Sequence, residues 1–288
     1  MLSKEEQIRK QMLQITNLYL DALCSKTPEV LPLAPNVRAT YNGVDCPPCQ
    51  NEVWDFTVRI PERQTFSDAV TGNVVFFGKL TNDVINYPPF MTDDKFYYAK
   101  WFLYMLRLKI VDGQITEIEE LTTDTPTHTK HSIEDAGVYQ MIYDIPLPEE
   151  EQMSREEMVK AVDTYWVAIT KTIPGQMMEC HPDGFRWEQG ELATDTARFP
   201  YSLVREFEVG RFHWHMPKNE CRYPIVDVKR GVVVAIVIMG NAGSRRGAIV
   251  WEAFKFSHGL IKCMHCGYQV LIKNSGWALE DCGDEDTL

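Results

Sequence analysis

Near the start of the chain, apolar residues recur at helical spacing. Ile8, Met12, Ile15 and Tyr19 follow a four-three-four rhythm, and Ser3 with Glu6 supplies the reciprocal cap that opens a helix. The same combination returns in the second half, where Ser154 and Glu157 precede Met158, Val162, Tyr165 and Ile169. Each helix is predicted to end near a proline, Pro28 and Pro174. Beyond each helix the pattern changes to strands and turns. Residues 36–43 parallel 183–190, a short strand running into a turn glycine. Residues 66–75 parallel 225–234, and both carry Asp-x-x-x-Gly, a hairpin turn in which Asp68 or Asp227 bonds the turn backbone. Residues 106–118 parallel 252–264: a strand, a two-residue Asp-Gly or His-Gly turn, and a return strand. Helix, strand, hairpin, hairpin occurs twice in one order, which predicts two copies of one α+β unit. The expected boundaries are 1–124 for the first domain and 154–279 for the second. Residues 125–153 read as a linker that wraps the domains, because its stretch 138–143 is too apolar for free solvent. The tail 280–288 is acidic.

Composition narrows the partners. With 288 residues, 44% of them hydrophobic and 24% charged, the chain has the makeup of a soluble globular protein of about two domains. Its 41 acidic residues outnumber 29 basic ones, for a net charge of −12. That argues against nucleic acid and against anionic membrane surfaces, both of which call for clustered Lys and Arg. The longest apolar run, residues 231–240, is about half a bilayer span and rich in β-branched residues, so it reads as a buried strand. No basic segment followed by an apolar stretch opens the sequence, so no secretory signal and a cytoplasmic location are expected. Two of the eight cysteines form Cys46-Pro-Pro-Cys49 and two form Cys263-Met-His-Cys266, enough ligands for zinc together with His265. On a strand, however, Cys263 and Cys266 would face opposite ways. Reduced thiols, with no metal and no cofactor, are the expectation.

The order of helices and hairpins resembles the nuclear-transport-factor-2-like superfamily, which includes SnoaL-like cyclases and ketosteroid-isomerase-like proteins. More narrowly, the chain is similar to a tandem family of unknown function found in fungi and bacteria. The residues carrying this are Gly210-Arg-Phe-His-Trp214, Arg222-Tyr-Pro-Ile-Val-Asp followed by Gly231, Glu252-Ala-Phe-Lys255 and Ser275-Gly-Trp277. In the first copy they are Leu31 to Asn36 and Tyr41-Asn-Gly43. The resemblance implies a cystatin-like α+β barrel in each half. A curved antiparallel sheet would wrap the long N-terminal helix as a cone with an apolar pocket at its open end, the two copies forming an intramolecular pseudo-dimer. It also implies metal-free catalysis, in which a carboxylate or His moves a proton while Tyr or a neutral acid donates to an oxyanion. Two departures stand out. The glutamate expected in the last strand is Glu119 in copy one but His265 in copy two, and His213 and His215 are not part of the family pattern.

Candidate chemistry follows from polar residues on inward strand faces. His213 and His215 flank Trp214 and would share a face, as a base with its orienting partner, as two metal ligands, or as a surface pair. Glu252 shares a face with Phe254 and Phe256, so it is either ion-paired, for instance with Arg222, or raised in pKa for proton transfer. Glu188 and its repeat counterpart Tyr41 are candidates for a base and an oxyanion donor, or for rim residues. Arg222 would orient a substrate oxygen, or pair with Glu206 or Glu252. Trp54, Trp101, Tyr104, Trp187, Trp214 and His265 complete the expected substrate contacts. The expected activity is a cofactor-independent lyase, dehydratase, cyclase or isomerase of secondary metabolism, acting on a small hydrophobic or aromatic molecule. A non-catalytic binding or scaffolding module is the alternative. Self-association into a homo-oligomer is left open.

Overall fold

The computed structural model describes residues 3–81, 101–123, 137–171, 180–209, 218–239 and 248–270. Helix α1 spans Lys4–Ser25, and the Ser3–Glu6 capping box is formed in both directions. Its buried stripe, including Met12, Ile15 and Tyr19, is the one the spacing predicts. The strands β1 (Leu33–Tyr41), β2 (Val44–Asp45), β3 (Arg59–Asp68), β4 (Asn73–Thr81), β5 (Trp101–Val111) and β6 (Gln114–Thr123) form one sheet, with a short helix α2 (Glu52–Phe56) between β2 and β3. The second half repeats the plan: α3 (Arg155–Lys171), β7 (Cys180–Glu188), β8 (Glu191–Leu192), α4 (Leu203–Glu208), β9 (Lys218–Asp227), β10 (Val232–Met239), β11 (Ala248–Ser257) and β12 (Leu260–Val270). Strand orders are β2-β1-β6-β5-β4-β3 and β8-β7-β12-β11-β10-β9. The sheets are mixed rather than purely antiparallel, because β1 pairs parallel with β6 and β7 parallel with β12. A parallel pair needs a long crossover, and here almost the whole unit separates its first strand from its last.

Local chemistry sets the turns. Asp112-Gly113 and His258-Gly259 both take positive φ at both positions, as a two-residue hairpin requires. Asp68 Oδ1 accepts from the Val70 amide at 2.9 Å, and Asp227 Oδ1 accepts from the Arg230 amide at 3.2 Å, as the turn motif predicts. Gly72 has φ +71°, and a Cβ there would meet the Ile110 carbonyl oxygen at 2.7 Å. Gly72→Ala is therefore expected to cost about 1–3 kcal/mol, read as a lowered thermal midpoint.

Each sheet is buried on both faces. On one face of the first sheet, Val74, Phe76 and Leu106 pack with Tyr19 and Leu23 of α1. On the other, Val75, Phe77 and Met105 pack with Val234, Ile236 and Trp251 of the second sheet. This is why the run 231–240 lacks alternation: every residue of β10 is buried. Polar groups also cross between the halves. Arg222 binds Glu119 through two bonds of 2.6 and 2.9 Å, and Glu119 also accepts from Arg107 at 2.8 Å. Arg9 of α1 reaches Asp227 at 2.8 Å, and Arg155 at the start of α3 reaches Asp68 at 2.7 Å. The two turn aspartates thus each hold an arginine from the opposite half. Residues 137–153 touch both halves: the Val138 amide donates to Glu62, and the Tyr143 hydroxyl to the Ala253 carbonyl.

Among the described residues the carboxylate that Arg222 holds is thus Glu119, where Glu206 or Glu252 was expected. In the β9–β10 register Arg222 lies opposite Ile236, on the face between the sheets, whereas Glu252 lies opposite Ala235 on the helix-side face. Among the described residues, no helix is long and apolar enough to cross a membrane.

Candidate functional site

Strand alternation gathers the polar groups of the second half on the face covered by α3. Arg186 and Glu188 project from β7, Glu252 from β11, and Cys266 and Tyr268 from β12, facing Tyr165 of α3. Together with Met239, Val250 and Ile169 they line a cleft whose inner chamber measures about 50 Å³. That is room for a few water molecules or for the reacting end of a ligand.

Glu252 lies at its centre, 2% exposed. The Tyr165 hydroxyl donates to its Oε1 at 3.3 Å, and among the described residues it forms no ion pair. Burial pushes its pKa from 4.5 to about 8, against an opposing pull from Arg186. Glu252 is thus mainly protonated at neutral pH and can donate a hydrogen bond. Glu188 sits differently: Arg186 donates to it at 2.7 Å, and the Tyr268 hydroxyl does so at 3.4 Å. Arg186 also lies 3.4 Å from Glu206, which is fully buried. One wall therefore holds two carboxyl groups, one salt-bridged and one not. Burial raises the Cys266 thiol far above its usual range, so it does not supply a thiolate.

A second cavity, about 120 Å³, occupies the matching place in the first half, lined by Tyr41, Glu52, Val53, Leu80, Phe102 and Thr122. The registers make the correspondence explicit. Tyr41 pairs with Glu120 as Glu188 pairs with Cys266, and Leu80 pairs with Phe102 as Met239 pairs with Ala248. The Tyr41 hydroxyl donates to Glu52 and lies 2.8 Å from Thr122 Oγ1; burial raises its pKa. Where the second half has Glu252, opposite Cys266, the first has Leu106, opposite Glu120.

The structure thus brings Glu252 and Glu188 together in one cleft and puts Tyr41 in the other. Trp54 and Tyr104 lie in the first core beside Glu120, which accepts from the hydroxyls of Tyr104 and Tyr19 and from Asn51. Burial raises the Glu120 pKa. Trp187 and His265 lie opposite each other in the β7–β12 register and face the other half, where His265 meets Phe77 edge-on at 5.6 Å. Burial depresses His265 to about 4, so it is neutral there. His213, Trp214, His215 and the Trp101 side chain lie outside the described residues. Sequence reasoning missed Arg186, Tyr268 and Glu120. Arg186 and Tyr268 were within reach, since each stands two positions from a residue of the same face, Glu188 and Cys266.

Cys263 and Cys266 do face opposite ways: the Cys263 thiol donates to the Tyr143 hydroxyl between the halves. Among the described residues, no three His, Cys, Asp or Glu side chains converge as metal ligands.

The family described as a domain of unknown function, DUF8021, matches residues 5–122 and again 151–266. The chain belongs to that family. The two DUF8021 matches coincide with the two helix-and-sheet units, so the molecule is a tandem of that domain. No curated protein matches the sequence. Three solved structures are similar to part of this DUF8021 tandem. A de novo designed protein with a curved β-sheet has 15% identity and a TM-score of 0.30, covering 40% of this chain and 87% of its own. AclR from Streptomyces galilaeus has 12% identity and a TM-score of 0.29, covering 43% and 81%. The phenazine biosynthesis-related protein phzb2 from Pseudomonas aeruginosa has 11% and 0.29, covering 43% and 82%.

Proposed function

We propose that the second half carries a cofactor-independent acid/base site for a small, largely apolar molecule bearing one carbonyl or phenol oxygen. The observation behind this is the pair of carboxyl groups on one wall, Glu188 bound by Arg186 and Glu252 buried without an ion pair. Environments that separate two like groups assign an acid and a base. Glu252, protonated, donates to the substrate oxygen as negative charge develops; Glu188 takes the proton from the neighbouring carbon; Tyr165 and Tyr268 hold the two carboxyls in place. Ile169, Met239 and Val250 supply the apolar wall. Isomerisation and the loss of a β-hydroxyl as water begin with such a step; in retro-aldol cleavage Glu188 would instead take the β-hydroxyl proton, and the electrons of the breaking carbon–carbon bond pass to the carbonyl whose oxygen Glu252 protonates. On this reading the units are nuclear-transport-factor-2-like cones, spanning about 1–124 and 154–279 and packed sheet against sheet as a pseudo-dimer. Support for it comes from the shared order of helix and strands and from the core built by both sheets.

One observation favours the alternative of a binding module. Arg186 is engaged by Glu188 and Glu206, so part of the polar wall is already satisfied from within. Deuterium exchange separates the two readings. Aryl ketones that shift the melting temperature are incubated in D₂O, and the α-proton signals are followed by NMR. Catalysed exchange that disappears in Glu188→Gln is the expected result. Tight binding with no exchange by any bound ketone makes the protein a binder.

A further inference from the structure

A cavity of about 240 Å³, larger than either cleft above, lies at the seam between the halves. α1 contributes Arg9 to it, β3 Arg63, the linker Tyr143 and Asp144, and the β9–β10 hairpin Asp227 and Arg230. Arg9 and Arg230 converge on one oxygen, Asp227 Oδ2, at 2.8 and 3.2 Å. Two guanidinium groups thus share one carboxylate that is only 5% exposed. The other acids near these arginines compensate less. Asp21, 3.6 Å from Arg63, is 69% exposed, and Glu5, 3.9 Å from Arg9, is 64% exposed, so water screens both. Asp144 adds one negative charge within the cavity, where it accepts from the Tyr139 hydroxyl at 2.7 Å. Lys255, bonded to the carbonyls of Ile145 and Arg230, brings a further cation to the seam.

Donor capacity is left over as well. The three hydrogen bonds of Arg9 among the described residues all leave from Nη1, and the side-chain bond of Arg230 also leaves from Nη1. Among the described residues, Nη2 and Nε of Arg230 and Nε of Arg9 make no hydrogen bond, while Arg9 Nη2 stands 3.9 Å from the exposed Glu5; a guanidinium fork matches a carboxylate. Phe66, Tyr143, Ile225 and Val232 give the cavity an apolar side. In a chain with net charge −12, three arginines and two aspartates line this cavity.

We propose that this seam cavity binds a small organic carboxylate with an apolar or aromatic body. Its carboxylate takes the donors of Arg230 and Arg63 that Asp227 does not use, and its body rests against Phe66 and Tyr143. Because the walls come from both halves and the linker, occupancy ties the halves together. The site is separate from the second-half cleft and does not depend on the chemistry proposed there.

Calorimetric titration of the full-length protein with benzoate and phenylacetate tests this, with benzamide as the neutral isostere. Saturable binding of an aryl carboxylate is expected, with benzamide weaker by at least about tenfold. Arg230→Gln should weaken the carboxylate by a similar factor; the side chain is 32% exposed, so the fold should tolerate the change. Arg63→Gln serves as a second variant at the opposite wall. Glu188→Gln, in the other cleft, should leave this affinity unchanged. The proposal fails if neither carboxylate binds at millimolar concentration, or if benzamide binds equally well. It also fails if Glu188→Gln abolishes binding that Arg230→Gln and Arg63→Gln leave intact.

Discussion

Glu119→Ala is expected to destabilise the protein by about 3–5 kcal/mol, the range for removing one partner of a buried ion pair. Glu119 is 1% exposed and takes three charged hydrogen bonds, one from Arg107 and two from Arg222. Arg107 keeps Glu117 at 2.7 Å when Glu119 is lost, so most of the penalty falls on Arg222, itself 3% exposed. That bond is also one of the charged contacts that tie the second half to the first, beside Arg155 on Asp68 and Arg9 on Asp227. Two consequences follow for urea denaturation. The midpoint drops, and the transition broadens or splits as the halves begin to unfold separately. The double variant Glu119→Leu with Arg222→Leu should recover most of the loss, because it removes both charges rather than stranding one. A double variant as unstable as the single one would show that the pair is not the source of the effect.

The second large effect is a pH dependence carried by Glu252. Its carboxyl is raised from 4.5 to about 8 by burial, so between those values the folded state holds a proton that the unfolded state has released. Stability from this group is fully present below about pH 4.5, falls as pH rises, and is lost once pH passes about 8. The span from 4.5 to about 8 corresponds to roughly 5 kcal/mol between the two limits. Glu252→Gln keeps the shape and the contact with Tyr165 but cannot ionise. Its thermal midpoint should therefore be flatter than that of the wild type between pH 5 and 9, and higher at pH 9. Parallel curves for the two proteins would mean that Glu252 is ionised in the fold, and its role as a donor would fall with that result. If Glu252 serves as the acid, the proton exchange proposed for the cleft should also decline above about pH 8.

What the sequence by itself determined is the repeated architecture. Spacing alone located α1 and α3, the Ser3 and Ser154 caps and the paired hairpins, because these depend on interactions a few residues apart. Period-two alternation likewise separated Cys263 from Cys266 and put Glu252 on the face of Phe254 and Phe256, which the structure shows to be the helix-side one. Glu188 was singled out differently, as the repeat counterpart of Tyr41 just before the turn, and without its partner Arg186.

Tertiary structure decided everything that depends on which face meets which neighbour. Arg222 looked like a partner for Glu252, yet it lies on the face between the sheets and meets Glu119, 103 residues away. Asp68 and Asp227 read as turn residues and are, but each second oxygen holds an arginine of the other half. Glu120 carries no sequence mark separating it from Glu119. One position of difference sends Glu119 to the seam and Glu120 into the first core among tyrosines. Alternation says that two neighbours part ways, but only the packing of helix on one face and sheet on the other says what each of them meets.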